Sequence, residues 1–286
     1  MIFRNLQTVC FNSLYIFLKI LEKISTRFIT LRFKDFLEKK SYINKTILNK
    51  KISFFTPNEL IRWRVDTILD KEPETIQWIN TFNNKCIFWD IGANIGLYSI
   101  YASQNKKNIK VYSFEPSTSN LRTLSRNISI NKLQNKIFII PFALSNLKNK
   151  ILQLKEKQFI EGGALNAFGV NYDFSGKKFF FENSYNTFGT SLDNLIEKKI
   201  LDIPNYIKID VDGIEELILI GSKNLLSNKK IKSILIEIND KFKSQKIKIL
   251  RIMKKNNFKL ISKNRNDFYY KGDFDDIYNY IFKKII

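Results

Sequence analysis

Two glycines and two acids have the spacing of a small-molecule site. In DIGANIGLYS, residues 90–99, Asp90 precedes Gly92 and Gly96, with Ala93, Asn94 and Ile95 between the glycines. Glycine has no Cβ and tolerates positive φ, so a ligand can approach the backbone closely. The unpaired amides of the following helix's first turn point toward such a ligand. Glu115 ends a second apolar run, Ile109 to Phe114, about twenty residues beyond the loop, where a carboxylate can accept hydrogen bonds from both hydroxyls of a ribose. The elements needed to position these groups are two buried parallel strands and a helix. Ile87 to Trp89 reads as the first strand, delivering Asp90 to the sheet's carboxyl edge, and Pro116 reads as position N1 of the next helix.

The spacing is DxGxNxG, whereas a pyrophosphate cradle prefers three glycines as GxGxxG. S-Adenosylmethionine carries no phosphate. Its ammonium, carboxylate and ribose are answered in turn by Asp90, by the loop amides with Asn94, and by Glu115. A Rossmann-type nucleotide-binding oxidoreductase is the alternative from this motif, but it lacks the third glycine and a TyrxxxLys pair at the pocket.

A second constellation lies at residues 206–221, YIKIDVDGIEELILIG, where a buried strand would bring Lys208, Asp210 and Asp212 to the same edge. A third apolar run, Ser233 to Asp240, carries Glu237 near its end. In a parallel sheet these acids reach one rim, the place where open α/β folds bind ligands. The chain has no histidine, which excludes Ser/His/Asp triads and histidine metal sites and leaves carboxylates, lysine or tyrosine for proton transfer. Asp210 is the first choice of general base, with Asp212 and Glu237 next. The same oxygens could instead share a divalent ion, or serve only as helix caps and ion-pair partners.

Six segments taken in order, DIGANIGLYS, SFEPSTSNLRTLSRNISIN, PFALSN, TSLDNL, KIDVDGIEELILIG and ILIEIN, resemble the FkbM-type methyltransferases over roughly residues 80 to 240. The resemblance implies a class I methyltransferase, a Rossmann-like, mostly parallel sheet with helices on both faces. It implies S-adenosylmethionine as donor and a hydroxyl of a sugar, glycan or related small molecule as acceptor. By position, Asp90, Gly92, Ala93, Asn94 and Gly96 would form the cofactor loop, and Glu115 beside Pro116 would hold the ribose. Phe142 and Ala143 would lie near the adenine, and Lys208 to Gly213 with Glu237 would line the pocket floor. Asp212 departs from the glutamate common at its position in KIDVEG and withdraws the charge by one methylene.

Composition sets the remaining bounds. Lys and Arg number 48 against 27 acids, a net charge of +21, which attracts anionic partners at low salt. No RNP motif, zinc finger or Arg-rich arm supports specific nucleic-acid binding. Cys10 and Cys86 do not form a disulfide framework, so a reducing cytoplasm is the expected compartment, with possible attachment to the inner face of the membrane.

The domain reading is a basic helical extension over residues 1–75 and a methyltransferase domain over 76–286. Between Arg4 and Lys50 ten basic residues face three acids. Phe11, Leu14, Tyr15, Leu18 and Leu21 mark an apolar helix stripe, with Lys19, Lys23 and Arg27 largely elsewhere. Such a helix either packs over the main domain or lies at a membrane surface, and the latter would suit a noncatalytic membrane- or glycan-binding module. Its uncharged stretch, Asn5 to Leu18, is too short to span a bilayer.

Residues 150–190 break the strand–helix alternation. Ile151 to Leu154 and Phe179 to Phe181 read as short strands around residues 161–176, a candidate acceptor lid. Thr190 to Asp193 reads as a capping box, Phe242 to Asn257 as a helix, and Phe258 to Ile261 with Asp267 to Tyr270 as closing strands.

Overall fold

The computed structural model describes residues 2–24 and 28–285, and the chain divides into two compact units, Met1–Ile43 and Asn44–Ile286. Residues 44–75 therefore fold with the larger unit. The first unit holds helices α1 (Ile2–Ile24) and α2 (Phe28–Lys40), which contact each other. Phe11, Tyr15 and Phe17 are exposed on α1, and Arg27 lies outside the described residues. No helix among the described residues is long and apolar enough to cross a membrane.

A ribbon of β1 (Tyr42–Ile47) and β2 (Lys50–Phe55) leads into α3 (Glu59–Asp66) and α4 (Pro73–Asn80). Then come β3 (Lys85–Ile91), α5 (Leu97–Asn105), β4 (Asn108–Phe114), α6 (Thr118–Ile130) and β5 (Ile137–Ile140). The insertion supplies β6 (Ala143–Leu144), β7 (Lys150–Glu156), β8 (Ala167–Phe168) and β9 (Asn183–Thr190). The chain continues through α7 (Leu192–Glu197), β10 (Tyr206–Ile209), α8 (Glu215–Ile220), α9 (Lys223–Ser227) and β11 (Ser233–Asn239). It closes with α10 (Lys243–Lys255), β12 (Phe258–Asn264) and β13 (Ile277–Lys284).

The seven-stranded sheet runs β12-β13-β11-β10-β3-β4-β5, parallel from β11 to β5 and antiparallel where β13 enters between β11 and β12. Strand order reverses between β3 and β10, so the loops leaving these two strands part and open a crevice at their carboxyl ends. Alternation along β3 decides which helices cover which face. Phe88 meets Trp78 and Phe82 of the α4 segment, while Trp89 faces the core that includes Leu195, Ile218 and Ile249 from α7, α8 and α10. The result is the expected α/β sheet with helices on both faces.

Four sequence expectations fail locally. Phe179 to Phe181 is not a strand; the pairing falls to β9, of which Asn183 to Gly189 zip against β7. Asp267 to Tyr270 is a turn, and the closing strand is β13. A buried Asn279, donating to Glu74 Oε1 at 2.7 Å, interrupts the apolar pattern that would have announced β13. The helix after Glu115 starts at Thr118 with Ser117 as N-cap, so Pro116 lies ahead of the cap and not at N1. Likewise Ser191, not Thr190, caps α7, and the Asp193 carboxylate accepts the Asn224 and Leu225 amides of α9.

Candidate active site

The crevice at the β3/β10 switch is a cavity of about 460 Å³ with two ends. At one end the turn after β3 carries Gly92, Ala93 and Asn94 on the wall. Gly92 has φ +82°, and a Cβ there would stand 1.7 Å from the Asp210 carbonyl oxygen, so two strand exits pack backbone to backbone only because residue 92 has no side chain. The Gly92 and Ala93 amides donate to Phe114 O at 3.0 and 2.9 Å, locking the turn onto β4. Gly96 lies off the cavity wall and forms the left-handed N-cap of α5.

Glu115 projects into this end from β4. Its two oxygens accept amides, Oε2 from Asn94 at 2.8 Å and Oε1 from Ser117 at 2.8 Å. Burial nevertheless dominates and pushes its carboxyl up to about 7, against the lowering effect of those amides. Each oxygen keeps lone-pair capacity for a ligand hydroxyl. Pro116, Phe142 and Ala143 also line this end, with Phe142 edge-on to Phe188 at 5.2 Å.

Asp90 behaves differently from the sequence expectation. The strand continues through Ile91, so Asp90 sits inside it, 1% exposed and off the cavity wall. Its carboxylate accepts from Ser99 Oγ at 2.6 Å, and Ser99 in turn meets Ser113 Oγ at 2.6 Å, tying β3, α5 and β4 together. Burial pushes its carboxyl above the usual range, against the pull of Lys208 and Ser99.

A roof covers the loop end. Gly163 O accepts from Asn94 Nδ2 at 2.7 Å and Asn120 Nδ2 at 3.1 Å, while Gly162 N donates to Asn120 Oδ1 at 2.8 Å. Arg64 Nε donates to Gly162 O at 2.8 Å, and Asn58 Nδ2 to Glu161 O at 2.9 Å. Asp212, itself at φ +59°, accepts the Leu165 amide at 2.6 Å and the Asn166 amide at 3.4 Å. The short carboxylate at 212 thus holds the roof. Burial, with Asp210 nearby, raises its carboxyl to about 6.

The other end is built from side chains of distant segments. Lys208, 1% exposed, reaches Asp210 Oδ2 at 2.5 Å. Lys71 meets Glu72 Oε1 at 3.2 Å, and the Tyr98 hydroxyl bonds Glu72 as well. Tyr270 Oη lies 3.3 Å from Glu72 Oε1 and 3.3 Å from Glu237 Oε1. Burial would raise Glu72, but Lys71 and Lys208 outweigh it and hold the carboxyl near 2. Lys208 is held above its ordinary value, because Asp210, Glu72 and Asp90 outweigh the burial that opposes its charge. Glu237 is pushed well up by burial and by the negative charges of Asp210 and Glu72. Sequence reasoning found Lys208, Asp210 and Glu237 here but missed Arg64, Lys71, Glu72, Tyr98 and Tyr270, of which only Tyr98 sits in a motif, as the ninth residue of DIGANIGLYS. Glu72 ahead of Pro73 carries only the signal of an ordinary helix start.

Oxygens of Glu72, Asp210 and Glu237 lie within 4.8 Å of one another, a spacing that a metal ion would accept. The donor set does not fit a divalent ion. The ammonium groups of Lys208 and Lys71 already sit against two of the three acids, so a divalent ion would enter beside two positive charges.

The Methyltransferase FkbM domain profile matches residues 90–260, which contain the loop, Glu115, the roof, Lys208 to Asp212 and Glu237. The chain belongs to the FkbM methyltransferase family. Within this family fold, the segment upstream of the matched region contributes Lys71 and Glu72, and Tyr270 follows it. The chain is 24% identical over 177 residues to the hexuronic acid methyltransferase AglP of Haloferax volcanii, covering 62% of this chain and 66% of that relative, just under two thirds of its length. Among solved structures it is similar to the FkbM methyltransferase of Methylobacillus flagellatus KT, with 16% identity, a TM-score of 0.47, and coverage of 79% of this chain and 55% of that one. It is also similar to M. jannaschii TYW2 in complex with AdoMet, with 14% identity, a TM-score of 0.44, and coverage of 86% and 87%.

Proposed function

We propose that this FkbM-family protein transfers the methyl group of S-adenosylmethionine to a hydroxyl of a sugar or related small molecule. The observation that carries this reading is one continuous cavity joining a ribose-sized hydrogen-bonding end, Gly92 to Asn94 with Glu115, to an end rich in carboxylates. The loop end fits the donor. Asn94 has a buried amide oxygen with no partner, an acceptor suited to a ligand N–H or O–H, and Phe142 supplies an apolar wall for a purine.

Trp63, 41% exposed, and Tyr269 meet edge to face at 6.3 Å on the cavity wall. Aromatic faces there suit the apolar face of a sugar ring, and the hexuronic acid relative supports a sugar acceptor. A sulfonium methyl is already activated, so the main contribution of the site is alignment of the two reactants. The carboxylate end receives the proton that the acceptor hydroxyl loses.

Calorimetric titration of the full chain with S-adenosylmethionine and with NAD tests the donor. Saturable binding of the former and none of the latter is expected; the reverse would establish the oxidoreductase alternative. Incubation with a panel of neutral and acidic sugars, read by mass spectrometry as gain of one methyl group, then tests the acceptor. Donor binding with no methylated sugar in the panel would refute the sugar assignment.

A further inference from the structure

The carboxylate end contains a charge imbalance that defines a role for Glu237. Three acids, Glu72, Asp210 and Glu237, meet two ammonium groups. Lys208 takes Asp210 and Lys71 takes Glu72, while among the described residues Glu237 meets no basic group in an ion pair. Extending the count to Asp212 on the roof side and Arg64 on α3, whose charges act on one another, leaves the same excess of one acid, and Asp90, which acts on Lys208 from within β3, adds a further carboxyl that burial pushes up. Tyr98, Tyr270 and Glu74 complete the ionisable groups around the cluster, and burial holds the two hydroxyls and the Glu74 carboxyl above their ordinary values.

Hydrogen-bond geometry gives the same count independently. The Tyr270 hydroxyl lies 3.3 Å from a carboxyl oxygen of Glu72 and 3.3 Å from one of Glu237. A hydroxyl has one proton and can donate along only one of these lines, so the other line is filled only if a carboxyl proton is donated to the tyrosine oxygen. Glu72, paired with Lys71, is the carboxylate that accepts from Tyr270. Glu237, which feels Lys71 but makes no ion pair among the described residues, is the acid that donates to it. A carboxylate left ionised there with no partner would carry the full cost of a buried charge.

We propose that Glu237 holds one exchangeable proton in the empty cavity, releases it when a sulfonium enters, and takes up the acceptor hydroxyl's proton during methyl transfer. The inference rests on the methyl-donor reading given above. In the transfer, the acceptor's O–H bond breaks and its proton passes to Glu237. The acceptor oxygen forms the new O–C bond, and the C–S bond breaks with its electron pair remaining on sulfur. The sulfur becomes a neutral thioether as Glu237 becomes a neutral acid, so the cavity carries one compensating positive charge before, during and after the reaction. Glu237 is then a catalytic residue, and Tyr270 and Glu72 are positioning residues that hold its proton toward the cavity.

The test is isothermal titration of the full chain near neutral pH, in buffers of different ionisation enthalpy, with S-adenosylmethionine and with its thioether product S-adenosylhomocysteine. Both ligands carry the same ribose and amino acid, so contributions from Glu115 cancel in the comparison. The sulfonium ligand should release about one proton more than the thioether. Glu237→Gln should abolish that difference and weaken the sulfonium ligand about tenfold while changing the thioether little. Tyr270→Phe removes no charge from the cluster and should move the release to lower pH, because the neutral form of Glu237 loses its acceptor. Equal proton release by the two ligands in the native chain overturns the proposal while leaving the donor reading intact. A difference that survives Glu237→Gln overturns the assignment to this residue. Failure of both ligands to bind overturns the donor reading and this inference with it.

Discussion

The two ends of the cavity are built by different physics. The loop end is a backbone structure. Its turn is set by a residue that must lack a Cβ, its amides lock onto β4, and Glu115 is held by two more amides. The carboxylate end has almost no backbone contribution. Lys71, Glu72, Lys208, Asp210, Glu237 and Tyr270 come from segments separated by up to two hundred residues and hold one another by charge. Backbone-built sites tolerate most side-chain changes and fail at glycines. Charge-built sites fail when one member of the balance is removed.

Lys208→Met should give the largest loss. Removing this buried cation strands Asp210 and weakens the positive field on Glu72, and breaking a buried pair costs about 3–5 kcal/mol. Chemical denaturation would read it. A loss below about 1 kcal/mol would show that the acids neutralise themselves by taking up protons, erasing the contrast between the two ends. At the loop end, Gly92→Ala should cost roughly 3 kcal/mol or more through positive φ and the collision with Asp210 O, and donor affinity in calorimetry should fall at least about a hundredfold.

Glu115→Gln should weaken donor binding by about tenfold, the value of one charged hydrogen bond. The same variant reports on pH. Burial lifts the folded carboxyl of Glu115 to about 7 from 4.5, so the folded chain binds a proton that the unfolded chain has already lost. That contribution is present at low pH and disappears as pH rises through about 7. The variant should therefore compare more favourably with the native chain at pH 8 than at pH 5, by up to about 3 kcal/mol in urea melts. A pH-independent difference would show that the bound amides, not burial, govern this acid. The smallest effect should come from Asp212→Asn, which keeps one acceptor for the roof and should cost about 1 kcal/mol, seen as faster amide exchange at Leu165 and Asn166.

This contrast also explains what could be read from the sequence. Apolar runs followed by acids, and glycines at fixed spacing, are local signals, so β3, β4, β10, β11, the loop and Glu115 were all visible. Asp90 misled because its position resembled a strand tip, whereas one further residue of pairing draws it into the sheet and onto Ser99. Lys71, Glu72 and Tyr270 were invisible because nothing nearby in the chain distinguishes them. Only the packing of α3, α4 and the β12–β13 turn brings them to the cavity. β13 escaped for a related reason, since Asn279 is buried for its bond to Glu74 and not for its hydrophobicity.

The roof over the loop end carries a kinetic consequence. Residues 161–166 are stitched to Asn58, Arg64, Asn94, Asn120 and Asp212, so lifting them forfeits at least five hydrogen bonds at about 1 kcal/mol each, which keeps the roof down in all but a small fraction of molecules. The expected route is therefore the side of the exposed Trp63 and of Tyr269, and whatever seats beneath the roof is expected to arrive first and depart last. Product-inhibition patterns would reveal such a compulsory queue, and random-order patterns would mean that the stitching comes undone in each cycle.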